Sequence, residues 1–298
     1  VSINVDNNGE IISRVEEFLG KTDINIQNNS NATFENEVYI ENPDLNIMNN
    51  STADFNEITF DSSGEGLLLL DNSTLDIDGE ATFIRTDALI NNGSTAKIDN
   101  LVDIESKIYV VNDSKLEINN YASFGSRTHL IVEDNSNTTI NGTLDVDNSG
   151  LIVKDNSNIA INGRLDVSYS GTIEFVNGEY VVNDGGIKID KSNLNVAGEA
   201  NFDNADTELK NSSNANFKDK LTLIDSAMLL KNGGSLNVGG MADFEDSALV
   251  VQNGSKVMFN DSFIMRNKEN GTEKSMIILD NGSAINVKGD FENHGVIY

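Results

Sequence analysis

The chain has 298 residues, no cysteine, and 48 acidic against 20 basic side chains, which gives a formal net charge of −28. Nucleic acid and anionic membrane surfaces repel such a chain, so neither is an expected partner. The lack of cysteine excludes a disulfide framework and a thiolate metal site or nucleophile. No apolar run approaches the roughly 18 residues of a membrane span, so we expect no membrane insertion.

The first 21 residues differ in pattern from the rest of the chain. Within EIISRVEEFLGK the apolar residues have the spacing of one helix face: Ile11, Ile12, Val15, Phe18 and Leu19. This spacing predicts an amphipathic helix of about three turns that ends at Gly20. Because the terminal units of repeat proteins are usually atypical caps, we interpret residues 1–21 as an N-terminal cap or linker segment.

Residues 22–298 repeat with a period of about 21 residues. The clearest unit is LIVKDNSNIAINGRLDVSYSG (Leu151–Gly171), and LIVEDNSNTTINGTLDVDNSG (Leu130–Gly150) precedes it with almost the same letters. Each unit contains three short runs in which apolar and polar residues alternate, as in strands with one buried side. The repeat predicts an all-β fold: a right-handed parallel β-helix (β-solenoid) of about 12 or 13 coils that forms a single domain.

The alternation also predicts which side chains fill the core. On the second strand of the coil, the predicted inward pairs are Ala32/Phe34, Ala53/Phe55, Leu75/Ile77, Ala96/Ile98 and Leu116/Ile118. On the third strand they are Ala81/Phe83, Val102/Ile104, Ala122/Phe124 and Leu144/Val146. The charged residues between these pairs are expected to face water: Asp76, Lys97, Asp103, Asp145 and Asp166.

Two segments interrupt the repeat. Around Thr172–Gly185 the unit is shorter and lacks a strand, and Asn267–Ser275 is an insertion before the last coil. Asparagine, aspartate, glycine and serine dominate the corners, because they tolerate left-handed and Asx-turn backbone. The corners also create fourteen Asn-x-Ser/Thr sequons, including those at Asn28, Asn72, Asn92, Asn141, Asn211 and Asn281. N-glycosylation of these sites and the demands of the corner both explain the pattern.

The sequence contains no recognisable catalytic or metal-binding motif. Solenoid enzymes wall their clefts with long loops, whereas nearly every corner here is short. The two histidines, His129 and His294, lie in widely separated turns, and the acidic turns Asp76–Glu80 and Asp145–Gly150 lack the ligand pattern of a calcium loop. We therefore expect no enzyme activity, no catalytic residue, no metal and no cofactor.

The first strand of the coil is the only one whose outward positions are repeatedly apolar. The positions assigned to this stripe are Leu68, Leu89, Tyr109, Ile131, Ile152, Leu229, Val250 and Ile277. A strand that is apolar on both sides is normally buried on both sides. An exposed stripe of this size usually marks an interface, although a flanking segment of the chain would also account for it. We predict that the stripe packs laterally on a second subunit.

The closing stretch NGSAINVKGDFENHGVIY and the DNS and NGS corners resemble secreted β-solenoid proteins of microbial surfaces. The likeness is to autotransporter passengers and filamentous-haemagglutinin-like exoproteins, and it extends over Asp23 to Tyr298. It implies a location outside the cell or on its surface and a role in adhesion or surface structure. Phage tail spikes and surface-layer or sheath proteins share the same pattern.

The expected function is therefore that of a non-catalytic structural protein: a self-assembling building block of a fibre, sheath, surface layer or adhesive stalk. A carbohydrate-active β-helix enzyme and a glycan-binding adhesin module are the alternatives. The expected partners are further copies of the chain, in an oligomer or polymer formed through the lateral face and the solenoid ends, together with glycans. The final GVIY resembles the opening strand of a further coil, so we expect a partner or further sequence to cover that end.

Overall fold

The chain is an all-β parallel β-solenoid of about 13 turns, with 67% of its residues in strands. This computed structural model describes residues 1–171, 173–176, 179–182, 186–268 and 274–298, and none of them lies in a helix. The predicted fold class, the three strands per coil and the number of coils are confirmed; the right-handed sense of coiling remains a prediction. The structure divides into two compact units, unit 1 (Val1–Gly142) and unit 2 (Thr143–Tyr298).

Unit 1 contains thirteen strands, several of which continue around a corner of the coil. They are β1 (Ser2–Val5), β2 (Glu10–Ser13), β3 (Glu17–Phe18), β4 (Thr22–Gln27), β5 (Asn31–Glu41), β6 (Pro43–Met48), β7 (Thr52–Asp71), β8 (Thr74–Asn91), β9 (Thr95–Ile104), β10 (Lys107–Val110), β11 (Lys115–Gly125), β12 (His129–Val132) and β13 (Asn137–Ile140).

Unit 2 contains shorter strands with distinct corners. They are β14 (Thr143–Asp147), β15 (Gly150–Lys154), β16 (Asn158–Ile161), β17 (Leu165–Ser168), β18 (Ile173–Val176), β19 (Glu179–Val182), β20 (Gly186–Asp190), β21 (Asn193–Val196), β22 (Ala200–Asp203), β23 (Asp206–Lys210), β24 (Asn214–Phe217), β25 (Leu221–Ile224), β26 (Ala227–Lys231), β27 (Ser235–Val238), β28 (Ala242–Glu245), β29 (Ala248–Val251), β30 (Lys256–Phe259), β31 (Phe263–Arg266), β32 (Met276–Leu279), β33 (Ala284–Val287), β34 (Phe291–Asn293) and β35 (Val296–Ile297).

Each coil has three sides, which we call face 1, face 2 and face 3 in the order in which the chain forms them. In unit 2, for example, β20, β21 and β22 form faces 1, 2 and 3 of one coil, and β23, β24 and β25 form those of the next. Strands on the same face pair in parallel, so that equivalent residues stack; Ile187 lies on Thr207 and Leu194 on Ala215. This stacking aligns each inward and each outward position in a row along the unit.

The inward rows form a continuous apolar core, as the alternation predicted. All the predicted pairs on face 2 are buried, and so are Ala81/Phe83, Ala122/Phe124 and Leu144/Val146 on face 3. Aromatic rings stack between coils: the ring centroids of Phe34 and Phe55 lie 4.3 Å apart with an angle of 3° between the planes. Like stacks on like because equivalent positions in successive coils are neighbours across one ladder spacing.

Buried serines complete the backbone hydrogen bonding at the corners. Between faces 1 and 2 of unit 1, the Ser30 amide donates to Ser51 Oγ at 3.2 Å, and the Ser51 amide donates to Ser73 Oγ at 3.3 Å. Between faces 3 and 1 of unit 2, the Ser226 amide donates to Ser247 Oγ at 3.2 Å in the same way. A buried amide that has left the strand ladder needs another acceptor, and the hydroxyl of the next coil provides it.

The predicted helix ending at Gly20 is wrong. Residues 10–13 and 17–18 form β2 and β3, which pair in parallel with β5, and β1 pairs with β4. The side chain of Ile12, which the helical spacing had placed on the buried face, is 58% exposed. Pairing with the backbone of the neighbouring coil outweighs the local helical pattern, because tertiary hydrogen bonds and packing routinely override propensity.

One inward pair on face 3 is also wrong. Leu101 and Asp103 point inward, whereas Val102 is half-buried and Ile104 is exposed. The corner between Ile98 and Leu101 is one residue shorter than the corresponding corner of β8, and the register of the two strands shifts there. A shift of one residue moves every following side chain to the opposite side of the sheet. Asp103, predicted to face water, therefore lies in the core.

The interruption around Thr172–Gly185 is an insertion between β17 and β20, not a shortened coil. β17 pairs with β22 and β20 with β23, so the coils continue on either side of it. Within it, β18 and β19 pair with each other in antiparallel fashion, and β19 lies against β23. Residues 269–273 of the second predicted insertion, Asn267–Ser275, lie outside the described residues.

Candidate functional site

The outward row of face 1 is the apolar feature from which the interface was predicted. In unit 1 the register aligns Leu69, Leu89, Tyr109 and Ile131 in four successive coils. All four side chains are half-buried. The earlier coils of the same row carry Asn4, Asn25 and Asn46 instead. These asparagines bond to each other through their side chains, from Asn25 Nδ2 to Asn4 Oδ1 at 2.9 Å and from Asn46 Nδ2 to Asn25 Oδ1 at 3.0 Å.

Two of the predicted stripe residues point into the core. Leu68 is 1% exposed and Ile277 is also buried, because Leu68 stacks between Leu45 and Ala88 and Ile277 stacks on Leu249. Their outward places are taken by Leu69 and Ile278. In the run LLLL, alternation is absent, and the corner that follows it is one residue shorter than the corner after β6. The outward position of face 1 lies a fixed number of residues before the serine of the following corner. Counting back from Ser283 in this way identifies Ile278, but the same count before the corner that follows LLLL does not select Leu69.

In unit 2 the row contains Ile152, Lys188, Glu208, Leu229, Val250 and Ile278. Leu229 points outward yet is 0% exposed, and Val250 is buried beside it. An outward residue of a solenoid is buried only where another segment covers the face. β19 lies against β23, which is the strand next to that of Leu229. Part of the predicted stripe in unit 2 is therefore covered within the chain itself.

Charged residues accompany this covered part of face 1. Glu208 is buried, and its carboxylate lies 2.6 Å from Lys231 Nζ and 3.5 Å from Lys210 Nζ. A buried carboxylate needs such partners, because an unpaired charge in a low-dielectric environment is strongly destabilising. The two lysines thus supply the counter-charge for the Glu208 carboxylate on this covered part of face 1.

Face 2 of unit 1 is acidic where face 1 is apolar. Burial raises the pKa of Asp54, and the neighbouring carboxylates of Asp76 and Asp78 raise it further. Burial and Asp78 likewise raise the pKa of Asp76, whereas Lys97 lowers it. Face 2 of one copy would therefore repel face 2 of another.

Among the described residues, no group of three or more histidine, aspartate or glutamate side chains is arranged to hold a metal ion.

The histidines have ordinary local partners. His129 Nδ1 lies 3.1 Å from the carbonyl oxygen of Arg127, and His294 Nε2 lies 2.7 Å from Glu292 Oε1. Both contacts join residues two positions apart in the sequence. They are typical of turns, and neither arrangement includes a nucleophile within the described part of the chain.

The structure explains why the sequons recur. Their serines include Ser30 and Ser213, which are buried at the corners. Their asparagines bond between coils, as from Asn72 Nδ2 to Asn50 Oδ1 at 2.9 Å and from Asn211 Nδ2 to Asp190 Oδ1 at 2.8 Å. The corner therefore requires this residue pattern for structural reasons, and N-glycosylation of the sequons stays a prediction.

Comparisons with known proteins found no match, so the fold alone classifies the chain. No family model matches the chain, and neither a curated protein nor a solved structure shows significant similarity to it. In the part of the chain that the structure describes, no helix is long and apolar enough to cross a membrane. The class that the structure defines is a parallel β-solenoid.

Proposed function

We propose that the protein is a non-catalytic structural protein of the cell surface, a building block of a fibre, sheath, surface layer or adhesive stalk. The observation that carries this proposal is the open apolar row on face 1 of unit 1, formed by Leu69, Leu89, Tyr109 and Ile131. Four consecutive apolar outward residues form a continuous stripe, and stripes of this kind usually serve as contacts.

The two units support this proposal by contrast. Of the four apolar residues of this row in unit 2, Leu229 and Val250 are buried, with β19 close by, whereas Ile152 and Ile278 are half-buried. Every strand described in unit 1 belongs to the coils, and none of them forms a hairpin like that of β18 and β19. Apolar side chains are more stable when they are removed from water. In unit 1 a second molecule then covers the apolar row.

The charges around the row favour another copy of the chain as that molecule. The chain is strongly acidic overall, so two copies repel each other unless the contacting surfaces are locally balanced. Lys107 precedes Tyr109 and His129 precedes Ile131 on the same strands, while Glu133 follows Ile131. Charges of both signs, from Lys107 and Glu133, thus flank the apolar row, and face 1 can approach its own copy with less repulsion than a uniformly acidic surface.

The location outside the cell is part of the same proposal. It is supported by the resemblance of the repeats and corners to secreted β-solenoid surface proteins. The acidic surface suits a long-lived solvated structure. Glycans remain a second class of partner for such a surface, and the assembly is the primary role.

The assembly proposal is tested by placing charge in the apolar row. In a variant with Leu89→Lys, Tyr109→Lys and Ile131→Lys, we expect the solenoid to fold and self-association to weaken by at least about 100-fold. Each lost apolar contact at the centre of an interface costs about 1–2 kcal/mol, and three of them add to more than two powers of ten. Sedimentation velocity over a wide concentration range, with electron microscopy of the assembled material, measures the effect.

The matched control places the same three lysines on other outward positions of unit 1: Thr33→Lys, Thr82→Lys and Thr139→Lys. These residues are half-buried on faces 2 and 3. The control should associate like the unmodified chain, with an unchanged circular dichroism spectrum. A chain that stays monomeric at every concentration, or an assembly that tolerates the face 1 variant, would show that the proposal is wrong.

A further inference from the structure

Asp103 is a buried carboxyl group of unit 1 that lies outside the proposed interface. Its side chain is 0% exposed, and neither carboxyl oxygen has a hydrogen-bond partner among the described residues. On face 3 it stacks between Phe83 of β8 and Phe124 of β11. These rings offer no counter-charge to an ionised carboxylate, so its ionisation in the core is costly. The other inward side chains of β9 and β10 are also apolar: Ala96, Ile98, Leu101, Ile108 and Val110.

The surroundings of Asp103 set the pH range in which its charge changes. Burial among apolar side chains raises the pKa of Asp103 to about 7, and the Asp87 carboxylate adds to the rise. Asp87 lies further along β8 and is the charged group that acts on Asp103 from the adjacent strands, since Phe83 and Phe124 carry no charge. In the folded chain the group is therefore neutral at mildly acidic pH and ionised at mildly alkaline pH.

The corner between β9 and β10 connects three strands of the apolar row: β8, β10 and β12. It contains Ser106, which is buried. Ser106 Oγ accepts a hydrogen bond from the Thr86 amide of β8 at 3.1 Å, and the Ser106 carbonyl oxygen accepts one from the His129 amide of β12 at 3.1 Å. Lys107 begins β10, and its amide donates to Asp87 Oδ1 at 2.8 Å. The corner thus holds the three strands in register.

The same corner begins directly after Asp103 and is irregular. Ile104 is 38% exposed although it is apolar, and Glu105 has a φ of 57°, in the left-handed region that residues other than glycine seldom adopt. An ionised Asp103 is destabilising in the core, and exposure of this end of β9 to water relieves the cost. Such exposure moves the adjoining corner and breaks the hydrogen bonds of Ser106.

We infer that Asp103 regulates assembly through face 1 of unit 1, which keeps its associating arrangement while this carboxyl group is protonated and loses it when the group is ionised. The inference rests on the proposed assembly. On ionisation the proton passes to water, the carboxylate leaves the core and the corner at Ser106 shifts. The strands β8, β10 and β12 then lose the common register that aligns Leu89, Tyr109 and Ile131. Association is therefore favoured below about pH 7 and weakened above it.

The first test measures association at two pH values by sedimentation velocity. The unmodified chain should associate at least about 10-fold more weakly at about pH 8.5 than at about pH 5.5. Asp103→Asn and Asp103→Leu cannot ionise at this position, so both should lose the difference. They differ in polarity and shape, so that one keeps the test valid if the other impairs folding. Asp113→Asn removes an exposed carboxylate at another corner of unit 1 and should keep the full difference.

A histidine beside the apolar row provides a second control. Histidine is the residue type whose charge ordinarily changes near neutral pH, and His129 lies on β12, two residues before Ile131. His129→Gln removes this source of pH dependence and should keep the difference in association between the two pH values. Loss of the difference in His129→Gln, with its retention in Asp103→Asn and Asp103→Leu, would overturn the inference.

Hydrogen exchange locates the opening without relying on association. It is measured on the face 1 variant with three lysines, in which the apolar row is not covered by a partner. The amides of Thr86, Lys107 and His129 should exchange at least about 10-fold faster at about pH 8.5 than they do in the same variant with Asp103→Asn added. The amides of β4 and β6, in coils remote from this corner, should exchange equally in the two proteins.

The outcomes separate this inference from the proposed assembly. An unmodified chain that stays monomeric at the lower pH would overturn the proposed assembly and this inference with it. Association of equal strength at both pH values would overturn the inference and leave the assembly standing. Retention of the pH difference in both Asp103 variants, or equal exchange at the corner with and without Asp103→Asn, would have the same meaning.

Discussion

Replacing Ile161 with aspartate is expected to destabilise unit 2 by about 4 kcal/mol or more. Ile161 points inward on face 2, is fully buried, and stacks on Val196 of the next coil. The substitution removes an apolar side chain from the core and leaves a carboxyl group there without a charged partner. The first change costs about 2 kcal/mol, and the second adds the penalty of burying an unsatisfied polar group. Urea unfolding monitored by circular dichroism measures the change.

The matched control lies one residue away on the same strand. Ala160 points outward and is half-buried, so Ala160→Asp introduces the same carboxylate on the solvent side. It should change the free energy of unfolding by less than about 1 kcal/mol, as should removal of the outward carboxylate in Asp166→Asn. Similar losses for Ile161→Asp and Ala160→Asp would mean that the inward and outward sides of β16 have been exchanged.

The second large effect is expected from the pH dependence of Asp103. This side chain is 0% exposed and stacks between Phe83 and Phe124 of the adjacent coils. Neither carboxyl oxygen has a hydrogen-bond partner among the described residues. Burial raises the pKa of Asp103 to about 7, and the Asp87 carboxylate adds to the rise.

The sign of the effect follows from the protons bound by each state. Between about pH 4 and pH 7 the folded chain holds a proton on Asp103 that the unfolded chain has released. The stabilising contribution is therefore complete below about pH 4 and is lost as the pH rises to about 7. With roughly 1.4 kcal/mol for each of about three pKa units, the loss is on the order of 4 kcal/mol.

The variant Asp103→Asn isolates this contribution, since its side chain stays neutral at every pH. We expect its stability relative to the unmodified chain to rise by up to about 4 kcal/mol between pH 4 and pH 7 and then to level off. Urea midpoints at a series of pH values provide the measurement. Asp113→Asn, at an exposed corner of the same unit, should show a difference that hardly changes with pH. A flat difference for Asp103→Asn would contradict the buried, protonated state.

The errors at Asp103 and Leu68 in the sequence-based prediction have one physical cause in common. Alternation identified Ala53/Phe55 and Ala81/Phe83 as inward pairs, because each is bordered by polar residues that can only face water. It failed at Asp103, which follows a corner that is one residue shorter than that of the preceding coil, and at Leu68, which precedes such a corner. A single strand does not contain this information, because the length of a corner matters only relative to the coil on which it stacks.

The sequence by itself determined the parallel solenoid, its three strands per coil, its apolar core and the asparagine- and serine-rich corners. These features follow from a period of about 21 residues, from alternation within each strand, and from the turn preferences of small polar residues. Only the tertiary structure decided the register of each coil, the strands that replace the predicted helix near the start and the burial of Leu229. Each of these depends on contacts between residues in different coils or with an inserted hairpin. Such contacts form where neighbouring backbone needs hydrogen-bond partners and apolar area can leave water, and local sequence preference yields to both.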